Sequence, residues 1–446
     1  MILPPSPPAA RVRPTSSSRS GHSAKRLLDR VAVESGTCER KPRSASKAGR
    51  SALPRSCLAL ALVLAFDIRP AAADPEPAWP LPEWPRATPQ DVGLDETQLD
   101  AARDYALRGG GAGCVIRHGR LVLAWGDTKQ RYDLKSTTKS FGAAALGLAV
   151  LDGKVQLSDR ARMHHPTLGT PPDAQTNSAW LDEITMLHLA SQTAGFDKPG
   201  GYAPLLFRPG TIWAYSDSGP NWLAECLTLA YRRDLDSLMF ERLFTPLGIQ
   251  RTDLVWRKNQ YRPDLLDGLK RREFGAGISA NVDAMARFGL LWLRGGHWHN
   301  AQLLPRRFVQ QAGGTVPRVP GLAVHKPEEY GRAADHYGLL WWNNADGTLD
   351  RVPRSTFWAW GLYDSLIVVM PELDIVVARA GQSWKRAAGG GHFDVLKPFF
   401  EPIVAAASPT SASNGDSGGS RPPCPPSPVI SGDDCLSVRK ATVIAQ

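Results

Sequence analysis

Strand patterns at the two ends of the globular part constrain the fold more than any other feature of this chain. Residues 113–117 and 121–125 are apolar runs joined by His118-Gly119-Arg120, which predicts a hairpin. Residues 366–370 and 375–378 are joined by a proline-containing turn and predict a second hairpin. The pattern between them is mainly helical up to about residue 310. Strands at both ends with helices between predict an α/β fold, with one sheet built from the two chain ends and a helical insertion.

An export signal is predicted ahead of this domain. Arg55 precedes a short apolar run at 57–66, which is followed by Ala71-Ala72-Ala73. A positive flank, a short apolar core and a small-residue exit are typical of a secretory signal peptide, here residues 56–73, and the run is too short for a membrane-spanning helix. We therefore expect a periplasmic or secreted protein with no membrane span after signal cleavage. Because a signal normally starts a chain, residues 1–55 are expected to be a disordered extension produced by a misplaced start codon.

Composition sets the remaining boundaries. Prolines concentrate in 74–88 and predict an extended linker. The folded domain is expected at 89–407, with the helical insertion at about 140–275. The Ser-, Pro- and Gly-rich residues 408–446 predict a disordered tail.

The basic charge of the chain belongs to its N-terminal segment. The whole sequence has a net charge of +10, but residues 1–73 hold 13 Lys/Arg against 4 Asp/Glu, and the rest holds 40 against 39. A nucleic-acid-binding surface on the domain is therefore not predicted.

The first candidate catalytic motif is Ser136-Thr137-Thr138-Lys139. It opens an apolar stretch at 141–151, and a helix this apolar must be buried. Residues three apart on a helix share a face, so Ser136 and Lys139 would meet in the interior, where a neutral lysine amine could accept the serine proton. The alternative is an N-capping serine beside a lysine that extends to solvent. The local sequence supports both interpretations equally, and two other Ser-x-x-Lys strings, at 44–47 and 437–440, lie in tails.

A second candidate lies in a loop that Pro209 and Gly210 introduce. It ends in Tyr215-Ser216-Asp217. A tyrosine near a lysine can serve as a general acid or base, and Asp217 could bind Lys139. The alternative is an exposed turn with a packed tyrosine.

Between about Pro89 and Ala406 the chain resembles the serine β-lactamase-like family, which includes class C β-lactamases, D-alanyl-D-alanine carboxypeptidases and related esterases and amide hydrolases. Five segments match the family in the expected order, namely residues 136–141, 152–159, 184–195, 215–217 and 277–289. The resemblance implies a β-lactamase/transpeptidase-like fold: an antiparallel sheet flanked by helices, plus an all-helical subdomain. It also implies that Ser136 is the nucleophile and that Lys139 and Tyr215 move its proton.

The resemblance implies a third motif as well, in which a strand facing the nucleophile carries Lys or His, then one residue, then Gly. The matching segment is Ala359-Trp360-Gly361, so Ala359 replaces the cation. Asp217 likewise replaces the family's Asn. Loss of the cation removes an attraction for a substrate carboxylate, which penicillins and peptidoglycan peptides carry. The implied oxyanion hole uses only the backbone N–H groups of Ser136 and Leu362, and it survives these changes.

These features predict a serine hydrolase that cleaves a small-molecule ester or amide through an acyl-enzyme on Ser136. β-Lactamase or carboxypeptidase activity is the first alternative, and a catalytically silent binding protein on the same fold is the second. No cofactor and no metal are expected: the histidine pairs lack metal-site spacing. Tryptophans beside the motifs, Trp213, Trp358 and Trp360, could line an apolar substrate pocket.

Overall fold

The computed structural model describes residues 78–170 and 178–407, and the predictions for 1–55, 56–73 and 408–446 fall outside them. The helices are α1 (Glu96–Leu107), α2 (Thr138–Leu151), α3 (Ala161–His164), α4 (Ser178–Glu183), α5 (Met186–Ala190), α6 (Ser218–Tyr231), α7 (Leu235–Met239), α8 (Val282–Leu293), α9 (Arg306–Gly313), α10 (Pro327–Tyr330) and α11 (Lys397–Ala407). The strands are β1 (Ala112–Arg117), β2 (Arg120–Trp125), β3 (Tyr132–Asp133), β4 (Ile212–Trp213), β5 (Leu254–Trp256), β6 (Leu265–Leu266), β7 (Leu269–Lys270), β8 (Ile278–Ala280), β9 (His297–Trp298), β10 (Ala301–Gln302), β11 (Ala323–Val324), β12 (Trp342–Asn343), β13 (Phe357–Trp360), β14 (Leu366–Met370) and β15 (Ile375–Ala380).

The main sheet joins the two ends of the domain, as the hairpin patterns predict. In the described part of the chain six strands lie in the order β12-β13-β14-β15-β1-β2, and every pairing is antiparallel. Both predicted hairpins, β1-β2 and β14-β15, are confirmed. They are adjacent because β1 pairs with β15 along its whole length.

The turns of the two hairpins are bound to each other. His118 donates its backbone N–H to the Asp374 carbonyl at 3.2 Å, and its ring Nδ1 lies 2.9 Å from the Asp374 carboxylate. Gly119 has φ +73°, and a Cβ there would lie 1.8 Å from the carbonyl oxygen of Ala78. A left-handed turn this close to another backbone segment accepts only glycine.

Helices cover both faces of the sheet. On one face α8 packs so closely that a Cβ at Gly289 would lie 2.6 Å from Val376 of β15. On the other face α11 contacts the sheet through Phe399 and Phe400, whose rings meet Trp125 and Trp358. The α1 helix begins at an Asp95 cap and packs against α11.

The α2 helix is buried on all sides, as its apolar sequence predicts. Every residue from Thr138 to Ala149 is buried, Lys139 included. Phe141 stacks on Phe288 of α8 with ring centroids 4.1 Å apart, and Gly142 leaves room for the ring of Phe274, which a Cβ there would meet at 2.5 Å. The α2 helix therefore packs between the main sheet part of the domain and the helical insertion.

The insertion is less uniformly helical than the sequence predicts. It contains α3–α7, but two- and three-residue strands interrupt the helices. One of them, β5, pairs with β8, and β8 pairs with β3, so that a small sheet in the order β3-β8-β5 lies beside the Ser136 turn. Strands this short carry too few alternating residues to give a periodic signal, which explains why the sequence pattern missed them.

Residues 78–88 differ from the extended linker expected at 74–88. Arg287 of α8 donates hydrogen bonds to the carbonyls of Pro80 at 2.8 Å and Pro82 at 2.7 Å, and Ala87 bonds to Leu121 of the edge strand β2. These residues are part of the folded domain, because they accept hydrogen bonds from a buried guanidinium group and pair with the exposed edge of the sheet. Within 78–170 and 178–407, every helix is too short or too polar to span a bilayer.

Candidate active site

The segment that carries Ser136 is a sharp turn rather than the first turn of the α-helix itself. Lys135–Thr137 form a 3-10 turn, and α2 begins at Thr138. Lys135 has φ +50°, an unfavourable conformation for a residue with a side chain, and its N–H donates to the Asp133 carboxylate at 3.1 Å. Strain of this kind persists only where surrounding bonds impose it.

Neighbouring elements impose that conformation. The N–H of Leu134 donates to the Ile278 carbonyl of β8 at 3.0 Å, and the N–H of Ile278 donates to Thr138 Oγ1 at 3.1 Å. From the main sheet, the Ser365 carbonyl accepts a hydrogen bond from Thr137 Oγ1 at 2.7 Å. Both sheets therefore hold the turn, and Ser136 stays partly exposed between them.

Lys139 lies beneath Ser136 and is 1% exposed. Its Nζ donates to Ser136 Oγ at 3.1 Å, to the Gly275 carbonyl at 2.9 Å, and to the Asp217 carboxylate. Three acceptors match the three N–H donors of an ammonium group. The N-capping interpretation is therefore wrong: no side chain caps α2, and the lysine does not reach solvent.

Tyr215-Ser216-Asp217 reaches the same point from the helical insertion. The Gln192 side chain bonds to both the N–H and the carbonyl of Ser216, at 2.9 and 3.1 Å, and so fixes the loop. Asp217 binds Lys139 through one carboxylate oxygen and Lys198 through the other, the latter at 2.7 Å. The predicted contact between Asp217 and Lys139 is thus present, and the structure adds a second lysine.

The electrostatic surroundings give the two polar groups of this loop opposite shifts. Burial raises the pKa of Tyr215 to about 12, although Lys198 and a hydrogen bond with Ser136 act in the other direction. Burial alone would raise the pKa of Asp217 too, but Lys139 and Lys198 outweigh it and hold that pKa below its ordinary value. At neutral pH Tyr215 is therefore a phenol and Asp217 a carboxylate.

Residues 273–275 form the interior wall of the site, next to Lys139. Asn221 Oδ1 accepts the N–H groups of Phe274 and Gly275 at 2.9 and 2.8 Å, which aims the Gly275 carbonyl at Lys139. Glu273 is fully buried and pairs with Arg257 at 2.7 Å. Burial raises the pKa of Glu273 to about 7, and the negative charge of Asp217 adds to that rise.

The Ala359-Trp360-Gly361 segment lies where the sequence places it, at the end of β13 and against the Ser136 turn. A Cβ on Gly361 would lie 2.1 Å from the Leu134 carbonyl oxygen and 2.9 Å from Thr137 Oγ1, so the strand can approach this closely only with glycine. The side chain of Ala359 is 1% exposed and supplies no charge.

Two backbone N–H groups remain available at this junction. Among the described residues, neither Ser136 nor Leu362 donates its N–H to a protein acceptor. Leu362 follows the β13 edge and Ser136 lies in the turn that packs on it. The pair predicted for an oxyanion hole is thus free to bind a ligand oxygen.

Aromatic side chains surround Tyr215. Its ring lies 5.7 Å from that of Trp342, nearly parallel, and 5.5 Å from that of Tyr330. Trp360 packs on His392 at 4.7 Å and is 7% exposed. Trp213 and Trp358 are 0% and 1% exposed, so the prediction that they line a pocket is wrong and both belong to the core.

Sequence reasoning located most of this site and missed part of it. Ser136, Lys139, Tyr215 and Asp217 meet in one place, and Ala359 to Leu362 border it. Lys198 was missed because a single lysine in a Pro/Gly loop has no distinctive pattern. The Gly275 carbonyl was missed because a backbone acceptor leaves no trace in the side-chain sequence.

A helix-covered antiparallel sheet, a helical insertion and a Ser-x-x-Lys turn at their junction define the β-lactamase/transpeptidase-like fold. The family comparison agrees: the family model named Beta-lactamase matches residues 99–392, and the chain belongs to this family. Members of the family are generally serine hydrolases.

Solved structures share this fold at low sequence identity. A β-lactamase from Mycobacterium bovis is 22% identical, with a TM-score of 0.51, and the match covers 68% of this chain and 97% of that one. A penicillin-binding protein homologue from Caulobacter crescentus is 16% identical, with a TM-score of 0.53 and coverages of 70% and 99%. EstCE1, a hydrolase with promiscuous acyltransferase activity, is 18% identical, with a TM-score of 0.52 and coverages of 72% and 99%. No curated protein matches the chain.

Proposed function

We propose that this protein is an exported serine hydrolase that cleaves a small ester or amide through an acyl-enzyme on Ser136. One observation carries the proposal. The Nζ of the buried Lys139 lies 3.1 Å from Oγ of the partly exposed Ser136. A nucleophile within hydrogen-bond reach of a base that third groups orient is the usual arrangement for covalent catalysis.

In the proposed acylation step, Ser136 Oγ bonds to the substrate carbonyl carbon and gives its proton to the amine form of Lys139. The carbonyl oxygen gains negative charge and is held by the N–H groups of Ser136 and Leu362. Because its pKa is about 12, Tyr215 keeps its proton at neutral pH and can donate it to the leaving alcohol or amine. Lys139 then restores the proton of Tyr215, and water hydrolyses the acyl-enzyme.

The proposed substrate class follows from the charges bordering the site. Ala359 provides no cation on β13, and the nearby Lys198 is already paired with Asp217. Substrates without a carboxylate are therefore favoured over penicillins and peptidoglycan peptides.

A catalytically silent binding protein is the second candidate, and one observation favours it. The Nζ of Lys139 bonds at once to the Asp217 carboxylate, the Gly275 carbonyl and Ser136 Oγ, a set of structural contacts that a binding protein would keep equally well.

Labelling with a fluorophosphonate probe separates the two candidates. A hydrolase should form one covalent adduct that maps to Ser136, and Ser136→Ala should abolish it. Ser355→Ala is the control, since Ser355 is a partly exposed serine whose hydroxyl donates to Glu372. An unlabelled wild-type protein, or equal labelling of Ser136→Ala, would contradict the proposal. Turnover of p-nitrophenyl esters, chromogenic cephalosporins and D-amino-acid peptides would then rank the substrate classes.

Export is the remaining part of the proposal. The apolar run at 57–66 and Ala71-Ala72-Ala73 support it. N-terminal sequencing of the mature protein should start at Asp74, and a mature terminus before residue 56 would refute a cleaved signal.

A further inference from the structure

Asp217 lies between two lysines that come from different elements. Lys139 of α2 binds one carboxylate oxygen from the interior, and Lys198 of the loop after α5 binds the other from the cleft. The exposed fractions of the three side chains are 2% for Lys139, 23% for Asp217 and 40% for Lys198. The arrangement thus runs from a buried cation, through a shared anion, to a cation at the surface.

The position of Lys198 is fixed by more than this ion pair. Its backbone carbonyl accepts the N–H of Asp217 at 3.0 Å, and its own N–H donates to the Asp197 carboxylate at 2.7 Å. Its Nζ also lies 4.8 Å from the centre of the Tyr215 ring, the same distance as the Nζ of Lys139. A side chain held at both ends differs from an ordinary exposed ion pair, which loses much of its worth to side-chain motion.

The consequence for Lys139 follows from charge balance. A carboxylate in contact with a lysine favours the ammonium form, which cannot accept a serine proton. A second cation on the same carboxylate reduces that effect, because it offsets the negative charge that Lys139 experiences. With Lys198 in place, Asp217 and Lys198 together form a neutral pair beside Lys139.

We propose that Lys198 is a positioning residue that neutralises Asp217, so that Lys139 can release the proton that blocks it from activating Ser136. The inference rests on the proposed function and goes beyond it. Lys198 lies in a loop outside the matched motifs, and the inference gives it control over the pH at which Lys139 can act as the base.

Other charged and titratable groups face this trio, and the pH dependence must be judged against them. From the segment behind the site come Glu273 and its partner Arg257. From the aromatic side come Tyr215, Tyr330 and Tyr337, all of which remain protonated phenols through neutral pH because burial raises their pKa. Lys198→Met keeps all five side chains, and of these groups it affects the pKa of Tyr215, which rises further above neutral pH when the cation is removed.

The test is the pH dependence of Ser136 modification by a fluorophosphonate probe, measured from pH 5 to 10 on the full chain. The rate should rise as Lys139 loses its proton. In Lys198→Met the whole charge of Asp217 acts on Lys139, so the rise should move to higher pH by about one unit, and the rate below it should fall about tenfold. Lys198→Arg keeps the cation and should leave the rise near its wild-type position.

A second background makes the test specific. Asp217→Asn removes the anion that holds Lys198 in place, so the rise should move to lower pH, and adding Lys198→Met there should shift it less than it does beside Asp217. If Lys198→Met lowers the rate equally at every pH, or shifts the rise equally in the Asp217→Asn background, the inference is wrong. Wild-type protein that shows no Ser136-dependent labelling would instead contradict the proposed function. Thermal unfolding of each variant identifies any loss of folded protein.

Discussion

Gly361 is the residue where a single added methyl group should do most damage to the site. A Cβ there would lie 2.1 Å from the Leu134 carbonyl oxygen, whereas ordinary contacts begin at 3.4 Å. Gly361→Ala therefore forces β13 and the Ser136 turn apart by roughly 1 Å, because the oxygen belongs to backbone and cannot rotate away. Thr137 Oγ1 at 2.9 Å adds to the conflict.

The expected loss can be estimated from that displacement. Overpacking of a well-packed contact costs about 1–3 kcal/mol of unfolding free energy. A misplacement of about 1 Å at a reacting centre costs roughly 100-fold in rate. Ser136 and Leu362 lie on the two segments that separate, so the oxyanion pair should lose its geometry while the fold survives.

Urea unfolding and the second-order rate of fluorophosphonate labelling measure the two effects. The control is Gly201→Ala, since a Cβ at Gly201 meets only one atom within 4 Å, the Tyr261 carbonyl oxygen at 3.6 Å. Gly361→Ala protein that labels within threefold of wild type would refute the view that this close approach sets the site.

Two further changes test the support behind the site. Burial raises the pKa of Glu273 to about 7 from 4.5, so the folded state binds this proton more tightly than the unfolded state; stability from this group is fully present below pH 4.5 and is lost as the pH rises through 7. Glu273→Gln should reduce the stability difference between pH 5 and pH 8 by about 2.5 kcal/mol in urea unfolding, and an unchanged difference would show that Glu273 does not titrate there. Asn221→Ala should cost about 2–4 kcal/mol of unfolding free energy, because the buried N–H groups of Phe274 and Gly275 lose their acceptor; a loss below about 1 kcal/mol in urea unfolding would contradict this.

The fold was largely predictable from local sequence. The two hairpins and the apolar stretch after Ser136 have long, strong patterns, and burial against several neighbours demands such patterns. The short strands β3, β5 and β8 escaped because two or three residues cannot establish a period. The packing of residues 78–88 also escaped, since proline-rich sequence is equally suited to an extended linker and to a strap over a sheet edge.

The candidate site was predictable where a side chain and its spacing carry the chemistry. Ser136 and Lys139 are three residues apart, a spacing that brings side chains together in an α-helix and equally in the 3-10 turn that the structure has here. The pairing of Asp217 with Lys198 depends on how two loops meet, which no local pattern encodes. Ser136 was predicted in the first turn of the helix, but it lies in a separate 3-10 turn, because tertiary contacts impose a left-handed backbone on Lys135.

Because β1 pairs with β15, the candidate site can form only after almost the whole domain has been synthesised. Ser136 and Lys139 leave the ribosome early, but Gly361 and the strand that fills the centre of the sheet, β15, emerge more than 200 residues later. Contacts so distant in sequence form slowly, because a long loop must close before any of them is made. A nascent or truncated chain therefore carries Ser136 and Lys139 without the β13 edge that packs on their turn, and the N–H group of Leu362 is not yet beside Ser136.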